Sequence, residues 1–443
     1  MKRSMVVLGL VVLVVLAASP RTARAQSLQE VLLRAKPAVA LVVSEVAARV
    51  TVNCGGVVTT VEPAPLRETG TGWFVSPIGW LVTNAHVVSP AQRPPDWLNA
   101  EMAKSATRPG CRATDVKLEP SISVVLSNGI RMPATIAKYS PPIAGEGMSG
   151  RDLALLRLEA ADLPALTLGD SGALQIGDPV HIIGFPGVVL THELLNASAK
   201  VEASVTNGAV SGFKQDKSGQ PVIQTDASAA GGDSGGPTID DRGRVVGVLT
   251  FITQSGTDQG SIVQGFNFVI PAQAVKDFLA GTEVKLGEPS RFNHAWQAGL
   301  SDFFAGNHSR AASALAEANR LMPELPDVMR VTRENDEKVN HPPPRPFPWT
   351  LVAASVTLVG LGAYAAMFVL RWRRNRFRIK PSELVRMIDS AEPPVILDVR
   401  DAKTYERSPV RIPNSHHVTP QSLEATRPDL DIAPGRTLVA YCT

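Results

Sequence analysis

At 443 residues the chain is too long for one ordinary hydrophobic core, and roughly two to four units are expected. The composition is that of a globular protein with few aromatics. A net charge of +3 gives no sign of a nucleic-acid partner.

The N-terminus has the pattern of a signal peptide. Lys2 and Arg3 precede an apolar stretch from Met5 to Ala18, and Ala23-Arg24-Ala25 offers small residues at a cleavage site. Residues 1–25 are therefore predicted to be removed, with a mature start near Gln26. The arginines before that site leave an uncleaved anchor as the alternative. Cys54 and Cys111 then fall in the exported part, where a disulfide between them could persist; two unpaired thiols are the other reading.

Leu28 to Lys36 reads as a short amphipathic helix stopped by Pro37. The pattern then turns to β. Strands are predicted at Val39 to Val43 and Val50 to Val52, and a hairpin at Gly70 to Val75 and Gly79 to Thr83. Residues 89–115, rich in Pro and polar residues, read as an inserted surface loop. Further strands are predicted at Ile122 to Leu126, Ala134 to Ala137, Leu153 to Leu158, Pro179 to Gly184, Lys200 to Val205, Val222 to Thr225 and Val245 to Ile252. Many short strands between turn signals point to a mainly β barrel or sandwich architecture. A helix from Pro271 to Leu279 closes this region.

Residues 290–335 change character. Ala311, Ala314, Leu315 and Ala318 recur at helical spacing, and Gly306-Asn307 divides the stretch into a helical hairpin. Its spacing loosely fits one tetratricopeptide unit. A single repeat cannot bury its own face, so a hairpin packed on the preceding region or on a partner subunit is an equal reading. Residues 336–348 form a Pro-rich spacer. Trp349 to Leu370 is uncharged and, at about 1.5 Å per residue, long enough to span a bilayer core. The basic flank 371–380 carries Arg371, Arg373, Arg374, Arg376, Arg378 and Lys380, which predicts a cytoplasmic C-terminal side. Residues 381–443 alternate helix and strand, as in a small α/β domain.

Chemistry is concentrated at Gly231-Gly232-Asp233-Ser234-Gly235-Gly236-Pro237. Glycines on both sides let the backbone turn and bring a serine close to another molecule. Such a turn can aim the Ser234 hydroxyl outward and point the N–H groups of Gly232 and Ser234 at one spot. A flexible linker has a similar composition, but this run sits inside a β-rich segment. A serine nucleophile needs a base, and His86 follows a predicted strand in Thr83-Asn84-Ala85-His86-Val87-Val88. His181, inside an apolar strand, reads as structural. Asp152 leads directly into the strand Leu153 to Leu158, where a buried carboxylate would have to be paired. A surface Asp152 beside Arg151 is the alternative.

The order His86, Asp152, Ser234 resembles that of chymotrypsin-like serine proteases. The finer resemblance is to the HtrA family. It lies in Thr83 to Val88, in Arg151 to Leu156, in Leu168-Gly169-Asp170-Ser171 with Ile183-Gly184-Phe185-Pro186-Gly187, in Gln224-Thr225-Asp226-Ala227, and in Gly265 to Pro271. The resemblance implies a protease domain over 26–285 with two six-stranded β-barrels and the triad in the cleft between them. It implies no metal and no cofactor. Asp233-Ser234 departs from the family's usual Asn-Ser, and no PDZ domain follows, which leaves any oligomer open. Ser228, where trypsin-like enzymes place a selecting acid, is neutral, so small or aliphatic side chains before the cut are expected. Thr250 and Phe251 complete the expected substrate pocket, with Leu249 to Ile252 pairing with the substrate backbone.

The tail resembles a rhodanese domain at Asp398-Val399-Arg400, at Arg411 to Val418 and at Tyr441-Cys442. Cys442 stands at the position of that family's persulfide carrier. The chain stops one residue later, so either the sequence is incomplete or the domain is not a working sulfurtransferase; as it stands, sulfur transfer through Cys442 is not expected. The expected function is a single-pass inner-membrane serine endopeptidase acting on polypeptides in the periplasm. An envelope sensor signalling to the cytoplasmic α/β unit is the alternative.

Overall fold

The computed structural model describes residues 26–141, 150–254, 262–342, 347–425 and 432–442. The signal peptide expected at 1–25 lies outside them, as does part of the Pro-rich spacer. Two compact units divide the chain near Pro343.

The first unit begins with helix α1 (Leu28–Ala35), whose N-terminus is capped by Ser27 Oγ accepting from Glu30 N at 3.2 Å. Pro37 then stops it within a short 3₁₀ turn. Strand β1 (Val39–Cys54) is a single long strand where the sequence reads as two. It is followed by β2 (Val57–Val61), β3 (Leu66–Ser76), β4 (Trp80–Thr83), α2 (Ala85–Gln92), α3 (Leu98–Ala106), β5 (Cys111–Val125), β6 (Arg131–Ser140) and β7 (Leu153–Arg157). Strands β1-β3-β4-β7-β6-β5 pair in that order and β5 returns to β1, closing a six-stranded barrel; β2 is added on β1.

The two ends of β1 show why it is long. At Val39 to Val43 both faces are buried. Ala40 and Val42 fill the barrel with Phe74, Leu81 and Leu156. Val39, Leu41 and Val43 join an apolar layer that includes Ile183, Phe185, Ile239 and Val248 further along the chain. Beyond Val46 the burial alternates, with Val46, Ala48, Val50 and Val52 inward.

Residues 89–115 are not a loop. The last four residues of α2, 89–92, fall within this stretch, α3 occupies Leu98–Ala106, and β5 begins at Cys111. Leu98, Met102 and Ala106 stand on one face of α3 and cover the inward residues of β1. The buried stripe falls at only every fourth position, and the flanking Pro94, Pro95 and Pro109 hide this helix from a composition-based reading. Cys54 and Cys111 face each other across β1 and β5 and are joined as a disulfide.

The second barrel comprises β8 (Pro179–Gly184), β9 (Ser204–Gln215), β10 (Pro221–Thr225), β11 (Pro237–Ile239), β12 (Val245–Gln254) and β13 (Ile262–Pro271). It closes in the order β10-β13-β12-β11-β8-β9. The strand expected at Lys200 to Val205 starts only at Ser204. Asn196 Oδ1, accepting from Ala199 N at 2.8 Å, caps a helical turn there instead. Helix α4 (Ala272–Leu279) follows β13.

Three helices, not two, come next: α5 (Arg291–Phe304), α6 (His308–Leu321) and α7 (Pro326–Asn340). Helix α7 was missed because its face offers Val328 and Val331 among many charges. Gly299 lets α5 approach α6, since a Cβ there would lie 2.7 Å from Leu315 Cδ2. Phe292, Trp296, Leu300 and Leu315 are continuous with the first barrel's core at Phe74, Leu81 and Leu158. Trp296 Nε1 donates to Leu33 O at 2.7 Å, and Asn293 Nδ2 to Ala165 O at 2.6 Å. The helices therefore pack on the barrel region as part of its fold. Lys36 and Arg330 share Glu202 and Asp327 at 2.7–3.2 Å, tying α7 to the end of α1.

In the second unit, α8 (Trp349–Asn375) has a mean hydropathy of 1.9 over its most apolar window. Among the described residues it is the one helix long and apolar enough to cross a membrane. Then come α9 (Pro381–Ile388), β14 (Val395–Asp398), α10 (Ala402–Arg407), β15 (His416–His417), α11 (Pro420–Ala425) and β16 (Leu438–Tyr441). The strands form a parallel sheet in the order β15-β14-β16, an α/β arrangement. Cys442, directly after β16, is a free and exposed thiol.

Peptide mapping without reductant should recover Cys54 and Cys111 in one cross-linked pair. Replacing both with Ser should lower unfolding stability by about 2–4 kcal/mol in denaturant titration.

Candidate active site

Three segments meet where the two barrels face each other. The first is the turn from β4 into α2. His86 sits in the first turn of α2, half-buried, just after the buried Asn84. The second is the entry to β7. Asp152 is 4% exposed and has a φ of 51°, a left-handed conformation that costs an aspartate of order 1–3 kcal/mol. Its backbone is held there on both sides: its N–H donates to Pro141 O at 3.0 Å, and its carbonyl accepts from Asn84 Nδ2 at 2.9 Å.

That conformation turns the carboxylate onto His86. Oδ1 accepts from His86 N at 2.9 Å. Oδ2 meets His86 Nδ1 at 2.8 Å and accepts from Thr250 Oγ1 at 2.7 Å. The surface pairing with Arg151 does not occur; Arg151 turns to Ala274 O and Asp277. With Nδ1 as the donor to a carboxylate, Nε2 is the lone-pair nitrogen. Burial disfavours the charged imidazole, but the hydrogen bond and charge of Asp152, with the charge of Glu68, outweigh it. His86 is thus held above its ordinary value of 6.5.

The third segment is the Ser234 loop between β10 and β11. Gly232 has a φ of 99° and Gly235 one of 88°. A Cβ at Gly235 would lie 2.1 Å from Thr71 O and 3.0 Å from Asn84 N, so only glycine lets this loop reach the strand ends that carry His86. Thr71 N donates to Ser234 O at 2.8 Å. Ser234 Oγ donates to Thr250 O at 3.3 Å, so its bond to the imidazole is not made in this rotamer. Among the described residues, neither Gly232 N nor Ser234 N donates to a protein acceptor. Gly231 O is taken by Gly187 N at 2.6 Å, and Gly232 O by Thr71 Oγ1 at 2.8 Å.

The residues expected around the substrate side chain lie on β12 and in the loop after β10. Ser228 is exposed, and its carbonyl accepts from Thr206 Oγ1 at 2.6 Å. The hydroxyl of Thr250 is committed to Asp152, so this side chain braces the aspartate, and only its carbonyl faces Ser234. Phe251 lies on β12, with its side chain outside the described residues. His181 bonds Asn207 and Asp241 at 2.8 and 2.9 Å, a satisfied structural histidine. Cys442 lies in the other unit. The sequence reading missed Thr71, Gly187 and the bracing role of Thr250. The one local signal for Thr71 was its place between Gly70 and Gly72.

Asp233 is buried beside Ser234 with no cationic partner among the described residues. Burial pushes its carboxyl from 3.8 up to about 6, partly opposed by the Ala230 N–H at 2.9 Å. The folded state therefore binds this proton more tightly than the unfolded chain. The cost of ionising Asp233 in place is absent below 3.8 and complete once pH has risen past about 6. A shift of this size is worth about 3 kcal/mol. In a Ser234→Ala background, Asp233→Asn should raise the thermal midpoint at pH 8 and leave it unchanged at pH 4. A midpoint at pH 8 equal to or below that of the parent would contradict this.

Comparison with known proteins finds similarity to serine proteases. Residues 70–248 match the family model described as a trypsin-like peptidase domain. The chain is 28% identical over 268 residues to serine protease HTR4 of Bos taurus, covering 60% of this chain and 44% of that protein. It is 32% identical over 211 residues to a probable periplasmic serine endoprotease DegP-like of Chlamydia trachomatis, covering 47% and 32%. The match to the corresponding Chlamydia pneumoniae protein is 30% over 207 residues, covering 46% and 32%. The chain thus spans less than half the length of these relatives. Among solved structures, the HtrA-type protease AlgW with tripeptide is similar at 25% identity, with 58% of this chain and 64% of that one covered and a TM-score of 0.36. The two-barrel unit thus carries the match to the trypsin-like peptidase domain and is similar to HtrA and DegP-like serine proteases.

Proposed function

We propose that this chain is a membrane-anchored, extracytoplasmic serine endopeptidase with Ser234 as nucleophile, His86 as general base and acid, and Asp152 as the group that orients His86. The observation that carries the reading is the buried Asp152 carboxylate, which holds His86 Nδ1 at 2.8 Å while Thr250 joins it to the Ser234 side.

The chemistry follows from these positions. Rotation about Cα–Cβ moves Ser234 Oγ from Thr250 O towards His86 Nε2, a contact that tightens when substrate is bound. Oγ attacks the peptide carbonyl carbon, and its proton passes to Nε2. The carbonyl π pair moves to oxygen, and that oxyanion accepts from the free N–H groups of Gly232 and Ser234. Collapse breaks the C–N bond, and His86 returns the proton to the leaving amine. Water, activated by the same imidazole, then releases the acyl group. The Asp152 carboxylate stabilises the imidazolium. Residues Leu249 to Ile252 would pair with the substrate backbone as an added strand, and neutral Ser228 favours small or aliphatic side chains before the cut.

Placement outside the cytoplasm rests on the N-terminal apolar stretch, on α8 with its basic flank, and on a disulfide that persists in oxidising compartments. The DegP-like relatives are described as periplasmic, which agrees. Residues 381–443 then lie in the cytoplasm as a rhodanese-like domain.

Ser234→Ala should lower casein hydrolysis by a factor on the order of 10⁴–10⁶ and abolish labelling by a fluorophosphonate probe in intact cells. A wild-type chain that does not label would be a binding module rather than a protease. Catalysis requires neutral His86, so kcat/KM should rise with pH through a value above 6.5. Asp152→Asn should remove that elevation and cost about 10⁴ in kcat; an unchanged pH profile would count against the assigned role.

A further inference from the structure

We propose that Thr71 is a positioning residue for the oxyanion site, and that its hydroxyl sets the two peptide planes on either side of Gly232, from the first of which the Gly232 N–H projects. The proposal rests on the serine-protease reading and goes beyond it. Thr71 lies on β3 of the first barrel and is fully buried. A buried hydroxyl without partners is costly, and this one has two. Oγ1 donates to Gly232 O at 2.8 Å and accepts from Phe185 N at 3.0 Å.

Both partners belong to the second barrel's loops. Gly232 O is the carbonyl of the peptide lying between the two free N–H groups. With that oxygen drawn to Thr71, the opposite end of the plane, Asp233 N, turns to Ala230 O at 3.1 Å. Phe185 begins Phe185-Pro186-Gly187, and Gly187 N holds Gly231 O at 2.6 Å. Since N–H and C=O point in opposite directions across a planar trans peptide, this turns Gly232 N the other way, into the site. One oxygen atom thus fixes the middle plane directly and the first plane through Phe185.

The segment it restrains needs restraint. Gly231, Gly232, Gly235 and Gly236 impose little of their own, and Gly232 sits at a φ of 99°. The backbone of Thr71 is held separately, through its N–H to Ser234 O at 2.8 Å and its carbonyl to Thr83 Oγ1 at 2.7 Å. The side chain can therefore be altered with the junction of the barrels kept.

The test uses the full-length, detergent-solubilised protein. Thr71→Val keeps the shape and removes only the hydroxyl. It should lower kcat by about 10–10³-fold with KM nearly unchanged, reaching at most the loss of about 10²–10³ that follows removal of one oxyanion donor. Affinity for a peptide boronic acid, whose tetrahedral adduct needs both N–H groups, should fall by the same factor. Peptide binding in the Ser234→Ala background should not change, and Thr71→Ser should restore kcat to within a few fold. Wild-type kcat in Thr71→Val, or a loss with boronate affinity intact, would overturn the proposal. Should the valine variant not fold, Thr71→Ser and Thr71→Ala differ only in the hydroxyl; equal kcat per folded molecule in that pair would overturn it as well. A wild-type protein unreactive to fluorophosphonate would instead refute the nucleophile assignment, and the role of Thr71 with it.

Discussion

A carboxylate buried between two barrels constrains the rest of this structure. Asp152 has almost no contact with water, so its charge is tolerable only with a full set of donors. Those donors come from both sides of the seam: His86 N and Nδ1 from the first barrel, Thr250 Oγ1 from the second. The barrels must dock in one register for the set to be complete. The strained φ of Asp152 belongs to the same constraint, because it turns the side chain to where the three donors converge.

Docking also needs close approach, and glycine supplies it at Gly70 and Gly235 among others. A Cβ at Gly70 would strike Val87, next to His86, and lie 3.1 Å from Ser234 O. A Cβ at Gly235 would strike Thr71 and Thr83. Thr71 then bonds across the gap these glycines open. Around the polar centre, Val39, Leu41 and Val43 of β1 pack with Ile183, Phe185 and Val248, an apolar layer shared by both barrels. The layer drives association without direction, whereas the hydrogen bonds choose the geometry.

The helices α5 to α7 extend the first barrel's core rather than forming a separate body. Trp296 is fully buried and its indole N–H reaches α1, so the segment before the barrel and the segment after it are stapled together. Helix α3 does the same for the outer half of β1, where the disulfide closes the end of the sheet. In the second unit the buried Asp398–Arg400 pair, with Tyr441 OH on Asp398 at 2.6 Å, joins β14 to β16.

Much of this was legible in the sequence. Short apolar runs between turn signals located most strands, and helical spacing found α1, α4, α5 and α6. The uncharged run from Trp349 marked the apolar helix. Local glycine chemistry marked Ser234, and motif resemblance singled out His86 and Asp152. These signals are local, each written within a few residues. What tertiary structure alone decided is non-local. Whether Asp152 turns to Arg151 or to His86 depends on a donor from Thr250, 98 positions away. Helices α3 and α7 show too few apolar residues to announce themselves, and they form because a waiting apolar face covers their short stripes. The partners of Thr71 lie 114 and 161 residues along the chain. Sequence sets which groups can bond and which faces must be buried; only the closed barrels bring distant donors and acceptors to one point, since a buried polar group takes its partner from whatever the fold places beside it.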